Sequence, residues 1–208
     1  VRAVLFDWDG TLVDSAAASL RSYVSLFGGY GITYGPDEFE RTYSPNWHRT
    51  YAALGLPPEK WDEADARWLE LYADEANGLL PGAWDTLVRL RQAGLAQGLV
   101  TSGSRPRVER DLARLEVAGF FRVVVCGGDT RERKPHPEPL LVALERLEVL
   151  AAEAAYVGDS PEDIEMAKAA GVYAIGIPGG FPNRASLVAS APDLLAEDLG
   201  SALRGLSI

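Results

Sequence analysis

The chain has 208 residues, 47% hydrophobic and 24% charged, enough to bury a core in one large domain or in one domain carrying a smaller insertion. Its formal net charge of −10, with no offsetting basic run, argues against nucleic acid as a partner. No apolar run approaches the ~20 residues needed to span a bilayer, and the lone Cys126 rules out an internal disulfide and fits a cytoplasmic location.

Val1 to Phe6 is a short apolar run ending on Asp7, as a buried parallel strand would. Asp7 and Asp9 break that run at once, against a signal peptide. Ala16 to Phe27 follows as a helix. From about Gly28 to Leu80 aromatic residues fall at helical spacing (Tyr43, Trp47, Tyr51; Trp61, Trp68, Leu69, Tyr72), which reads as a helical core. No strand stands out there, and Pro57-Pro58 separates two helices.

Past Pro81-Gly82, helix and strand alternate. Helices are expected from Ala83 to Ala93, Arg105 to Leu115, Pro139 to Leu147 and Glu162 to Ala170. Strands are expected from Leu95 to Val100, Phe121 to Val125, Ala154 to Val157, Val172 to Ile177 and, shortest, Asp193 to Ala196. Such alternation implies parallel pairing with helices on both faces. The fold class is therefore α/β: a doubly wound, Rossmann-like parallel sheet, interrupted after its first strand by a helical insertion. Ligands of such sheets bind at the carboxyl ends of the strands.

Four polar clusters fall at those ends. In Asp7-Trp8-Asp9-Gly10-Thr11, two carboxylates share one site if the chain turns sharply at Gly10. Repulsion between them calls for a cation, and oxygen ligands with open positions suit Mg²⁺; an acid-capped turn is the bland alternative. Thr101-Ser102-Gly103-Ser104, between a strand and a helix, suits a phosphate cradle or an ordinary helix cap. Lys134, in Arg131-Glu132-Arg133-Lys134-Pro135, either offsets carboxylates and a phosphoryl group or belongs to a solvated basic loop. In Gly158-Asp159-Ser160-Pro161-Glu162-Asp163, Ser160-Pro161 reads as N-cap and first helical residue, with Asp163 as a cap partner. Asp159 shares the sheet edge with Asp7 and Asp9.

The order of these clusters after successive strands resembles the haloacid dehalogenase superfamily, in its phosphatase branch with a helical cap; its general character is similar to the phosphoglycolate phosphatases. The resemblance implies a core of residues 1–14 and 81–208 with a cap of residues 15–80. It implies that Asp7 attacks phosphorus and that Asp9 carries the proton to the leaving alcohol and from the attacking water. It implies Mg²⁺ on Asp7, Asp9 through its carbonyl, and Asp159, with Asp163 beside it, and Thr101, Ser102, Gly103 and Lys134 around the phosphoryl oxygens. Arg41, His48 and Arg49 are the cap candidates for a second anion of a small phosphorylated metabolite. The chain is expected to work as a monomer or homodimer. Trp8 stands where an aliphatic is more usual and is expected to pack near the site.

Dehalogenases of that superfamily lack the second aspartate, so Asp9 favours phosphate chemistry; a sugar phosphomutase is the alternative within it. A cysteine nucleophile fails on spacing, because Glu132 occupies the place of the required arginine six residues beyond Cys126. Neither a Walker A run nor GxGxxG is present. A phospho-accepting receiver-like module also uses Asp, Thr and Lys, but lacks a helical cap.

Overall fold

A computed structural model describes residues 1–73 and 75–206. β1 (Ala3–Phe6) leads into four helices: α1 (Ala16–Gly29), α2 (Pro36–Thr42), α3 (Trp47–Ala53) and α4 (Trp61–Ala73). There follow α5 (Ala83–Gln92), β2 (Ala96–Ser104), α6 (Arg105–Arg114), β3 (Val123–Gly127), α7 (Glu138–Leu147), β4 (Ala154–Gly158), α8 (Pro161–Ala169) and β5 (Tyr173–Gly176). The described chain closes with α9 (Arg184–Ala189), β6 (Leu194–Leu195) and α10 (Leu199–Gly205). Among the described residues no helix is long and apolar enough to cross a membrane.

The six strands form one parallel sheet in the order β3-β2-β1-β4-β5-β6. β1 is central, with Phe6 level with Leu99 of β2 and Val157 of β4. Its side chains alternate, as a strand buried on both faces requires. Val4 and Phe6 join Leu87, Leu90, Val108, Leu112, Leu199 and Leu203 on the face covered by α5, α6 and α10. Ala3 and Leu5 join Leu140, Leu144, Ile164, Ala167 and Leu187 on the face covered by α7, α8 and α9. The sheet is doubly wound, and the strand order reverses at β1. That reversal opens the crevice where such sheets bind ligands.

Helices α1 to α4 bury an aromatic cluster of their own, including Tyr23, Phe27, Tyr34, Phe39, Tyr51, Trp68 and Tyr72. Phe181, from the loop after β5, inserts into it and stacks on Tyr43 at 4.5 Å between ring centres. The two ends of this helical segment are tied together. The Asp14 amide donates to the Gly78 carbonyl at 3.0 Å, the Leu80 amide to the Leu12 carbonyl at 2.9 Å, and Val13 forms an antiparallel bridge with Leu79.

Three local readings change. The strand expected to end at Val100 runs on through Thr101 to Ser104 as β2, which pairs irregularly with β3 between Val100 and Ser104. Ser104 occupies the N-cap of α6 without a capping side-chain bond, so capping does not account for the hydroxyl cluster. Helices α9 and α10 stand where no helix is expected; both are short, with Leu187, Leu199 and Leu203 as their buried anchors.

Candidate active site

The Asp7 amide donates to the Val157 carbonyl at 2.9 Å, so Asp7 extends the β1–β4 pairing by one residue before the chain turns. The turn closes at once: the Leu12 and Val13 amides reach the Trp8 carbonyl at 3.0 Å, and the Gly10 amide reaches Val13 at 2.9 Å. Gly10 sits at φ +81°, and a Cβ there would collide with the Asp159 carboxylate, so glycine meets both a backbone and a space requirement. Alternation sends Asp7 and Asp9 into the cleft and Trp8 the other way. Trp8 is fully buried in the apolar core, edge-on to Phe121 at 6.5 Å.

Lys134 reaches the centre of this site from the loop before α7. Its Nζ donates to Asp7 Oδ1 at 2.6 Å, to Asp163 Oδ1 at 2.7 Å and to the Tyr156 hydroxyl at 2.7 Å. The three donors of an ammonium are thereby used. Tyr156 passes its own proton to the Val100 carbonyl at 2.8 Å, which ties β2, β4 and the lysine loop together. Asp163 is the cap partner that Ser160-Pro161 led one to expect, and it also meets the lysine. Its Oδ2 accepts from the Ser160 amide and hydroxyl in a capping box at the start of α8, while Oδ1 faces Lys134.

Asp7, Asp159 and Asp163 are all buried, and each offers an oxygen within 4.8 Å of the others. Burial, reinforced by Asp163 against the opposing pull of Lys134, pushes the Asp7 carboxyl up to about 7. Burial, then Asp7 and Asp163, raises Asp159 well above the carboxylate range. Burial works to lower Lys134, but Asp163 and Asp7 outweigh it and the ammonium is stabilised. Three carboxylates thus face one ammonium, a formal excess of two negative charges. Among the described residues Asp159 receives a single hydrogen bond, from the Thr11 hydroxyl at a long 3.4 Å. An all-oxygen set that is short of positive charge fits a hard divalent cation such as Mg²⁺.

Asp9 is placed differently from the carboxylates of that group. Its Oδ1 accepts from Arg107 Nη1 at 3.0 Å, and its Oδ2 pairs with Arg107 Nη2. The Asp9 carboxylate is therefore held by α6 and is not one of the three that gather within 4.8 Å. Arg107 is a site residue missed in the sequence. Its signal there was helical phase: Arg107 and Asp111, one turn apart, share a face with the buried Val108 and Leu112.

Thr101, Ser102 and Gly103 line the cleft with Lys134, Asp159, Asp163 and Arg107. The Thr101 hydroxyl accepts from the Gly103 amide at 3.1 Å. The cleft leaves about 60 Å³ free above Asp7, room for a handful of waters, and continues into a wider space of about 320 Å³. His48 lines that wider space, held by Asp65 at 3.1 Å and stacked on Trp61 at 4.6 Å. Arg49 points to Glu162 at 3.4 Å, and Arg41 is committed to Glu38 at 2.9 Å. Neither arginine lines the cleft above Asp7 or the wider space beyond it.

The sequence model of the haloacid dehalogenase-like hydrolases matches residues 4–177, from β1 through β5 and every residue of this site. The chain belongs to the haloacid dehalogenase-like hydrolases. Within that family it is 33% identical to the phosphoglycolate phosphatase of Salmonella choleraesuis, over all of this chain and 93% of the relative. A solved structure from Lactobacillus plantarum, provisionally named a phosphoglycolate phosphatase, superposes with a TM-score of 0.88 at 25% identity, covering 98% of each chain. CbbY from Rhodobacter sphaeroides, solved with phosphate, superposes at 0.83 with 26% identity over the whole of both chains. Membership accounts for the doubly wound fold and the hydrolase class of this protein.

Proposed function

We propose that the protein is a Mg²⁺-dependent phosphatase of small phosphate monoesters, similar to phosphoglycolate phosphatases, that works through an aspartyl phosphate on Asp7. The observation that carries this reading is the contact between Lys134 and Asp7, 2.6 Å long, inside the buried group Asp7, Asp159 and Asp163. A carboxylate becomes a nucleophile toward a dianion only if the charge between them is neutralised.

Asp7 is that nucleophile: one oxygen attacks phosphorus while Lys134 holds the other. Thr101, the Ser102 amide and Gly103, at the end of β2, receive the equatorial phosphoryl oxygens, whose charge Lys134 offsets from its place on Asp7. Asp9 gives a proton to the departing alcohol, then takes one from the water that cleaves the acyl phosphate. Asp7, Asp159 and the Asp9 carbonyl would hold Mg²⁺, with Asp163, held by Ser160 and Lys134, orienting the set. The bound ion supplies neutralisation of the charge shared by carboxylate and phosphoryl oxygens. Residues 15–80 act as a cap over this chemistry, with the Tyr43–Phe181 stack as its seat, and exclude bulk water.

Phosphate release from p-nitrophenyl phosphate, with Mg²⁺ and with EDTA, tests the reading. Asp7→Asn is expected to lower turnover by at least about a thousandfold. Wild-type turnover in that variant would overturn the mechanism.

A further inference from the structure

The cleft is charged unevenly. Over Asp7 three carboxylates meet one ammonium. On the α6 wall the excess is reversed: Arg107, Arg110 and Arg114 surround the buried Asp111, at 3.9, 3.3 and 3.6 Å, and Arg107 also pairs with Asp9. Three guanidiniums against two carboxylates leave one positive charge.

Arg110 and Arg114 spend further donors on the Ala73 and Asn77 carbonyls, both at 2.5 Å. Arg107 alone of the three lines the cleft. It is buried, its guanidinium carbon lies 5.0 Å from the centre of the Tyr72 ring, and its Nε has no partner among the described residues. Among the described cleft residues the other cation is Lys134, whose three donors are taken. The space for the Arg107 fork exists because residue 103 is glycine; a Cβ there would strike Nη2.

We infer that Arg107 is a specificity-determining residue: it receives a second anionic group of the substrate, a carboxylate, in exchange for Asp9. The inference rests on the phosphatase reading of the same cleft. The fork already holds a carboxylate in the bidentate geometry that a substrate carboxylate would use. Asp9 gives up that partner when the substrate arrives and is left facing the cleft, where its work lies. A phosphomonoester with no second anion leaves Arg107 on Asp9. Selection for phosphocarboxylates would then be set by the core, not by Arg41, His48 or Arg49.

The test uses two esters of nearly the same shape, 2-phosphoglycolate and ethyl phosphate, which differ by the carboxylate. With Mg²⁺ the wild-type protein is expected to favour 2-phosphoglycolate in kcat/KM by roughly tenfold to a hundredfold, the range of a charged hydrogen-bonded pair. Arg107→Met should erase most of that ratio, chiefly through KM for 2-phosphoglycolate. Arg107→Lys, which keeps the charge but not the fork, should restore part of it and also serves if the methionine variant does not fold. Equal losses on both substrates, or a ratio unchanged by either substitution, would overturn the assignment. Wild-type protein that cleaves both esters equally well defeats the role of Arg107 alone. Wild-type protein that cleaves neither ester, nor p-nitrophenyl phosphate, defeats the phosphatase reading itself.

Discussion

The sheet side of the cleft is held by charge and the helical side by rings. Lys134 is fixed by Asp7, Asp163 and Tyr156 at 2.6 to 2.7 Å, whereas Tyr43 stacks on Phe181 and Trp47 lies against Trp68, each pair 4.5 Å between centres. A charged network in a dry site is directional, and removing one member strands the rest. Rings in van der Waals contact tolerate exchange as long as volume is kept. The charged side is therefore brittle, and the ringed side is forgiving.

The sharpest way to break this contrast is to take the ammonium away. Lys134→Met leaves Asp7 and Asp163 buried without their cation, and urea unfolding should show a loss of about 3–5 kcal/mol. A loss no larger than that of a conservative ring substitution would mean that the charged side is not brittle.

Acidity tests the same side without mutation. The folded pKa of Asp7, pushed to about 7, lies above its ordinary value of 3.8. The folded protein therefore keeps that proton where the unfolded chain has lost it, so stability falls as pH rises through this interval and the penalty is complete above about pH 7. In EDTA the unfolding midpoint should drop between about pH 4 and pH 7. Added Mg²⁺ should raise it more at the higher pH, where both carboxylates of the Asp7–Asp159 pair are needed charged. A flat profile in EDTA would remove burial as the dominant force on Asp7.

The smallest effect belongs to the rings. Phe181→Leu keeps an apolar side chain but loses the contacts with Tyr43 and Phe39. The expected loss in urea unfolding is about 1–2 kcal/mol, at roughly 0.5–1.5 kcal/mol per aromatic pair. A loss equal to that of Lys134→Met would erase the distinction between the two sides.

What could be read in the chain follows the same division. Asp7 and Asp159 were visible because each stands just past a strand, Lys134 because it lies in a loop before a proline, and Asp163 because it follows the cap pair Ser160-Pro161 at a helix start. The strands themselves were legible from their apolar runs, and α8 from Ser160-Pro161. Arg107 was not, because an arginine inside a helix looks like any solvated one until tertiary packing buries it under Tyr72. The strand was expected to end at Val100 for a related reason: small polar residues weaken a strand pattern locally, yet here pairing with β3 resumes at Ser104 and keeps Thr101 to Gly103 in β2. Arg41 and Arg49 were named from their place in the helical insertion, and the structure sets them against Glu38 and Glu162.

The paired ends of the helical segment carry one more consequence. Because Asp14 and Leu80 enter and leave through hydrogen bonds to Gly78 and Leu12, everything between them is, for the sheet, a single closed loop. Loop-closure cost grows only with the logarithm of length, about 0.6 kcal/mol for each doubling. Descendants of this chain can thus lengthen, shorten or exchange that segment wholesale while the register of β1 against β2 and β4 stays as it is.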